Sequence, residues 1–322
     1  MQNLFHYIHN HTHYYKTEKS IYNIIIGKKS HQTFFDACSQ QLLSLYHSLP
    51  NLKYPSFERY YASSGTDNES QFTLITHPRF TFDSLINTFQ ALQLLTQTIS
   101  QLNNNNNSHF IPVTQQQVIH QRVKSIYKHI KSEQQEQTFI DELYNVFEKI
   151  KVLNNETYIH YYLQGFEDSM YTRQQVSLIE GLSQETLFEL EINDLVALMY
   201  EIENEQNYPI LNQLIILPSL LQKTDLTYDG LKKGYTMQAL ANQQQVKINT
   251  IEDHVLELFI KGYITDYQTF LNDNLNSTFL TYYMSNRSER LRNYKEKFPE
   301  LSYFTIKLII AGIERGDIHV NR

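Results

Sequence analysis

Two groups of residues in this chain have the types and spacing that suit contact with phosphate. One is Arg287, Arg290, Tyr294 and Lys297, at i, i+3, i+7 and i+10. On a single helix that spacing aligns three cations and an aromatic ring along one face. Glu289, Glu296 and Glu300 fall on adjoining faces, so the stretch reads equally as a solvated helix. The other is Gly27-Lys28-Lys29-Ser30-His31-Gln32-Thr33. A phosphate-binding loop needs a further glycine upstream, but the residues ahead of Gly27 are Asn23, Ile24, Ile25 and Ile26, so no nucleotide site is expected. The segment fits better as a helix-turn-helix-like element: a helix over 20–26, a turn at Gly27-Lys28-Lys29, and Ser30 capping a helix through Ala37 and Leu42. Lys28, Lys29, His31, Gln32 and Thr33 would then be offered to phosphates or base edges; the alternative is a purely structural helical hairpin.

The stretch from Thr224 to Ile264 carries the fuller helix-turn-helix pattern. Thr236 is placed to cap a short helix over 237–242, Val246 and Ile248 are apolar plugs in a polar turn, and Asn249-Thr250 offers a second cap. Ile251, Val255, Leu258 and Phe259 share one face of the helix that follows, which stops at Lys261-Gly262-Tyr263-Ile264, where a winged variant would begin its first strand. In a DNA-binding unit this second helix enters the major groove, which makes Lys247, Asn249 and Thr250 candidate DNA contacts. Glu252, Asp253 and Glu257 are expected on the solvent face, where three carboxylates oppose a polyanion and suit a docked protein better. Lys247 and Lys261 flank them.

Other chemistry finds little support. His6, His9, His11 and His13 have no cysteine or carboxylate among them to complete a metal site. Cys38 reads as a buried, inert thiol. Nothing selects Glu167-Asp168 or the acidic run Glu201, Glu203 and Glu205 as acids or ligands. No catalysis, cofactor or metal is expected.

Around these residues the sequence predicts a mainly α protein, with a multi-helical N-terminal region and a C-terminal helix-turn-helix domain, with or without a wing. Amphipathic spacing marks a helix over 82–102 (Leu85, Ile86, Phe89, Leu92, Leu95, Ile99) and another over 133–153 (Phe139, Leu143, Val146, Phe147, Ile150). Phe72, Leu74 and Ile75 suit a short strand, and Gly65-Thr66-Asp67-Asn68 a loop. The expected segments are an N-terminal region 1–102, an Asn-rich linker 103–110, an acidic helical region 111–206, and the helix-turn-helix domain 213–322. With 322 residues and 41% hydrophobic content, two or three domains can form cores. No apolar run approaches the roughly 18 residues of a membrane span, no signal-peptide core is present, and the single cysteine fits a reducing cytoplasm. The net charge of −7 is uneven: Asp and Glu far outnumber Lys and Arg over 131–206, while 1–130 is mildly basic and 207–322 nearly balanced. Nucleic acid would therefore meet the ends of the chain and a basic protein surface its middle. The oligomeric state is left open.

The residues at Gly27 to Thr33, at Gly234-Tyr235-Thr236, at Thr250-Ile251-Glu252-Asp253-His254 and at Leu301-Ser302-Tyr303-Phe304 resemble the YpbB-like family, bacterial proteins typically encoded beside a RecQ-type DNA helicase. The closing block is similar to the helicase-associated helix-turn-helix domain at the C-terminus of some RecQ helicases. The resemblance covers about the last hundred residues, more briefly the N-terminal segment. It implies a non-catalytic accessory protein of a RecQ-type helicase in recombination and repair, contacting DNA, the helicase, or both; the charge distribution assigns those contacts to 1–102 and 213–322. The Thr-Ile-Glu-x-His core overlaps in spacing with LuxR-type regulators, so a sequence-specific transcriptional regulator is one alternative and a protein-only adaptor another.

Overall fold

The computed structural model describes residues 1–13, 15–63, 72–105, 110–271 and 277–319. Its first helices are α1 (Gln2–His11), α2 (Glu18–Ile25), α3 (His31–Ser39), α4 (Tyr54–Ser63), α5 (Phe82–Asn105), α6 (Gln117–Ser132), α7 (Glu136–Asn154) and α8 (Arg173–Glu180). There follow α9 (Gln184–Ile202), α10 (Gln222–Lys232), α11 (Met237–Gln244), α12 (Ile248–Ile260), α13 (Gln268–Leu271), α14 (Ser277–Ser285), α15 (Leu291–Lys297) and α16 (Tyr303–Arg315). Short 3-10 turns occupy Leu43–Leu45, Ile159–Tyr162 and Leu211–Leu214. No strand forms among the described residues, and none of their helices is long and apolar enough to cross a membrane.

Contacts gather the chain into two units, neither continuous in sequence. The first draws its described residues from Met1–Tyr7, Thr66–Ile75 and Asp83–Ile216, the second from Ile8–Gly65, Thr76–Phe82 and Leu217–Arg322. This division cuts across the expected segments 1–102, 103–110, 111–206 and 213–322. Helices α2 to α4 share a unit with the last hundred residues, and α5 with α6 to α9. Nor is 103–110 a boundary: α5 runs on through Asn105, and residues on either side of the tract belong to the first unit. Residues 106–109 and the Gly65-Thr66-Asp67-Asn68 loop lie outside the described residues.

In the first unit α9 is the axis. Leu187, Ile192, Leu195, Val196, Leu198, Met199 and Ile202 are all buried, so the helix is covered nearly all round rather than along one stripe. Phe139, Val146 and Ile150 of α7 are buried as well, on the helix that packs against it. Three carboxylates of the acidic stretch point inward and terminate other elements. Glu189 accepts from the backbone N–H of Leu4 at 2.8 Å, near the start of α1. Glu142 accepts from Ile210 and Leu211, at the head of the last 3-10 turn. Asp194 accepts from the backbone of Tyr158 and Ile159 and from Asn154 and Thr157. These groups satisfy backbone donors that helix starts leave open, so part of the negative charge over 131–206 is interior and not a surface. The expected strand at Phe72–Ile75 is irregular chain whose partner is a side chain: Asn193 accepts from the Ile75 N–H and donates to the Thr73 carbonyl, each at 2.9 Å.

The second unit is built around α12, which packs against α3, α10, α11 and α16. Of the two forms the sequence left open, the one without a wing is found among the described residues. The chain turns at Gly262, whose φ of +80° favours glycine, and continues into α13; Tyr267 just before that helix and Phe270 within it place their rings 4.4 and 5.4 Å from that of Phe259.

Candidate nucleic-acid interface

Helix α10 leads into α11 through a turn closed by Gly234, and Thr236 caps α11 by accepting from the Ala239 N–H. At α11's end Gln245 takes a left-handed φ of +55°, and the chain reverses into α12. Gly230 permits the close crossing of α10 and α11, because a Cβ there would stand 2.3 Å from a Leu240 methyl. Leu240, Ala241, Ile251 and Val255 close the small core between α11 and α12.

The entry to α12 differs from expectation. Asn249-Thr250 do not cap it; the helix begins at Ile248 with Lys247 as its cap residue, whose side chain makes no capping hydrogen bond. Lys247 and Asn249 are exposed and Thr250 half-buried. From His254 to Lys261 every residue is buried, so only the first turn and a half of α12 reaches solvent. Glu252 and Asp253 are half-buried at the edge of this window. Burial, then the neighbouring Asp253 charge, raises the Glu252 carboxyl above its ordinary range. Lys307 of α16 comes within 3.4 Å of Asp253. Sequence reasoning missed this lysine, although it is the sole charge between Tyr303 and Ile313.

Glu257 is not on the solvent face, as expected, but at the centre of the unit. Its side chain is 0% exposed. It accepts from Lys261 Nζ at 2.6 Å, from the Thr224 hydroxyl at 2.6 Å and from the Leu221 N–H at 3.0 Å, and lies 3.1 Å from His31 Nε2. Burial alone would raise its pKa. The His31 hydrogen bond, the Lys261 charge and bond, and the Thr224 hydroxyl outweigh burial and hold the carboxyl at about 2. Beside it His254 is pushed down to about 4, first by burial and then by His31, and its Nδ1 pairs with the Thr227 hydroxyl at 2.7 Å. Partner docking by Glu257 is thus excluded by its burial.

The N-terminal candidates divide likewise. Gly27 takes φ +71° against the His47 ring, and Ser30 caps α3 by accepting from the Thr33 N–H. Helix α3 ends at Ser39, short of the expected Leu42. Thr33 is buried and His31 is turned onto α12, so neither faces a nucleic acid. Lys28, Lys29 and Gln32 remain exposed, with Gln32 donating to Asp36 at 2.8 Å. Since His31 meets α12 at His254 and Glu257, those contacts lie about 8 to 12 Å along the helix from Asn249, at 1.5 Å rise per residue.

The expected stripe of Arg287, Arg290, Tyr294 and Lys297 is not one helix face. Arg287 follows α14, Arg290 is the cap residue of α15, and Tyr294 is buried, its hydroxyl donating to the Asn286 carbonyl at 2.6 Å. Lys297 is exposed with its ammonium 3.8 Å from the centre of the Tyr282 ring. Cys38 is buried, its thiol pushed up to about 12, chiefly by burial. Among the described residues no group of three or more His, Cys, Asp or Glu is placed to hold a metal ion.

Three helices with a tight turn between the second and third, and a third helix exposed only at its start, define a helix-turn-helix domain. Residues 223–310 match the family model for a helix-turn-helix domain. No curated protein and no solved structure matches the chain.

Proposed function

We propose that this protein binds duplex DNA through the exposed start of α12, with Lys247 and the uncapped N–H groups meeting phosphate and Asn249 and Thr250 meeting base edges. The observation that carries this reading is the burial pattern of α12. In helix-turn-helix docking the N-terminal residues of the second helix of the motif contact the bases, and those are the residues of α12 left uncovered. Lys307 offsets the charge of Asp253 at the edge of this window.

The wider role is that of a non-catalytic accessory protein of a RecQ-type DNA helicase in recombination and repair, which rests on the resemblance of the sequence to the YpbB-like family. A helicase contact draws support from the first unit. There a groove of about 590 Å3 is lined by Tyr144, Phe147, Tyr158 and Tyr161, with three carboxylates, Glu148, Glu156 and Glu180, against one lysine, Lys151. Aromatic faces with carboxylates suit a basic, partly apolar segment of a partner. A protein-only adaptor draws on the same groove and on Glu252 and Asp253.

Binding of the full chain to fluorescent single-stranded, duplex and forked DNA across a salt series, with and without a purified RecQ-type helicase, tests both parts. Lys247→Ala with Asn249→Ala is expected to weaken duplex binding, and Glu252→Lys with Asp253→Lys to strengthen it and steepen its salt dependence. Isotherms unchanged by either pair would remove α12 from the DNA interface. Glu148→Lys with Glu180→Lys is expected to abolish helicase capture; capture at wild-type strength would remove the groove.

A further inference from the structure

The second unit also contains a cavity of about 390 Å3 that the α12 reading does not use. Lys16, Arg287, Arg290 and Arg292 contribute to its wall, with Asp36 and Glu289 the acidic residues among them. Both carboxylates are already engaged. Asp36 takes Lys16, the Ser20 hydroxyl at 2.6 Å and Gln32 at 2.8 Å, and Glu289 accepts from the Tyr282 hydroxyl at 2.7 Å. The arginines are less well supplied. Arg290 is exposed and makes no side-chain hydrogen bond or ion pair among the described residues. Arg292 pairs with Glu296 across an exposed i,i+4 contact, the kind of pair that contributes little and opens readily.

Arg287 is the most telling. Its Nε is buried with no hydrogen-bond acceptor. The Glu314 carboxylate is 3.4 Å away, close enough for charge attraction, but the N–H is not directed at it. Glu314 already accepts from Gln41 and the Tyr283 hydroxyl. The other recorded partner of this guanidinium is the Met284 sulfur at 3.2 Å, a weak acceptor. The buried Nε is itself out of reach of the cavity, so what Arg287 can offer there is its terminal N–H groups, which have only that thioether as acceptor and so retain donors for an oxyanion in the cavity the residue lines. The local field agrees: His13 is lowered by burial first and then by Lys16 and Arg287.

We propose that this cavity binds a terminal phosphate group, carried by a DNA end or by a free nucleotide. Guanidinium forks match phosphate oxygens in pairs, and a terminal phosphate, unlike a diester flanked on both sides, enters a concavity end-on. Phe35 lines the cavity, and Lys307 lies 5.8 Å from the centre of its ring while pairing with Asp253 of α12. The cavity therefore belongs to the same packing as the exposed turn of α12 but is a distinct site.

The test compares binding of the full chain to a short single-stranded oligonucleotide bearing a 5′-phosphate, a 3′-phosphate or neither, with calorimetry of AMP alongside. Preference for a phosphorylated end by about tenfold, the scale of one charge-assisted hydrogen bond, lost in Arg290→Gln and partly kept in Arg290→Lys, supports the site with a DNA end as occupant. AMP binding without end preference, lost in Arg290→Gln, supports it with a free nucleotide. Equal binding of all three oligonucleotides together with no AMP heat overturns it. Arg290 is exposed, so loss of folding does not confuse the result, and Arg292→Gln provides a second variant of the same kind. Glu252→Lys with Asp253→Lys shifts all three oligonucleotides alike if α12 also touches them, so failure of the cavity and failure of the α12 reading are separable.

Discussion

Glu257 illustrates how a charged residue on an apparently polar helix position becomes interior. It sits two turns beyond the exposed start of α12, where α3 brings His31, α10 brings Thr224 and the end of α12 itself brings Lys261 around it. Removing one partner of a buried pair leaves the other charge uncompensated, so Glu257→Gln is expected to lower unfolding free energy by about 3 kcal/mol or more, measured by urea denaturation. The pH dependence follows from its depressed pKa. Held at about 2 when folded, against 4.5 ordinarily, it contributes stability fully present above pH 4.5 and lost as pH falls toward 2, worth about 3 kcal/mol. Glu257→Gln should flatten that part of the acid denaturation curve. Asp194 has the opposite sign. Burial raises it from 3.8 to about 6, so its contribution is present below pH 3.8 and fades as pH rises through 6. Gly27→Ala is expected to cost on the order of 2 kcal/mol or more, checked by thermal melting. A Cβ there meets His47 Cβ at 2.6 Å, and rotating the ring cannot relieve that clash.

At the scale of elements, caps distinguish what the sequence reveals from what it conceals. Thr236→Ala should cost about 1 kcal/mol in a chemical melt, since its hydroxyl bonds the Ala239 N–H. Thr250→Ala should cost almost nothing, because α12 has already begun by then. Both threonines precede apolar helical runs, and local pattern alone does not separate them. The helical class, α5, α7 and the α10 to α12 motif were legible because 3.6-residue periodicity and capping chemistry are local properties. The cut at Asn103 was misplaced because asparagine runs lack apolar periodicity whether or not a preceding helix extends into them. The arginine stripe failed for a related reason: equal spacing implies a shared face only within one continuous helix, and Arg290 starts a new one. Glu257, Lys307 and the Arg287 cavity were invisible because their partners lie up to about 270 residues away in the chain, as with Gln41 and Glu314.

For the whole molecule, burial of α9 within the first unit makes removal of 131–206 a loss of that unit's core rather than of a surface, so charge reversal at Glu148 and Glu180 is the informative change. The second unit makes a comparable demand on fragments. Residues 217–322 alone, although they contain the matched 223–310, lack α3, whose Phe34, Phe35 and Cys38 are buried. That fragment is expected to bind a hydrophobic dye and to unfold without a cooperative transition, whereas the full chain melts sharply.

The shared packing of α3 with α12 and α16 also orders events during synthesis. Helix α3 leaves the ribosome early, yet α12 and α16, which pack on it, are translated only after residue 247. At about 5–20 residues per second that interval is on the order of ten seconds or longer. Through it the apolar side of α3 stands open in a nascent chain, so chaperone engagement should be concentrated on the N-terminal sixty residues and released when α16 emerges.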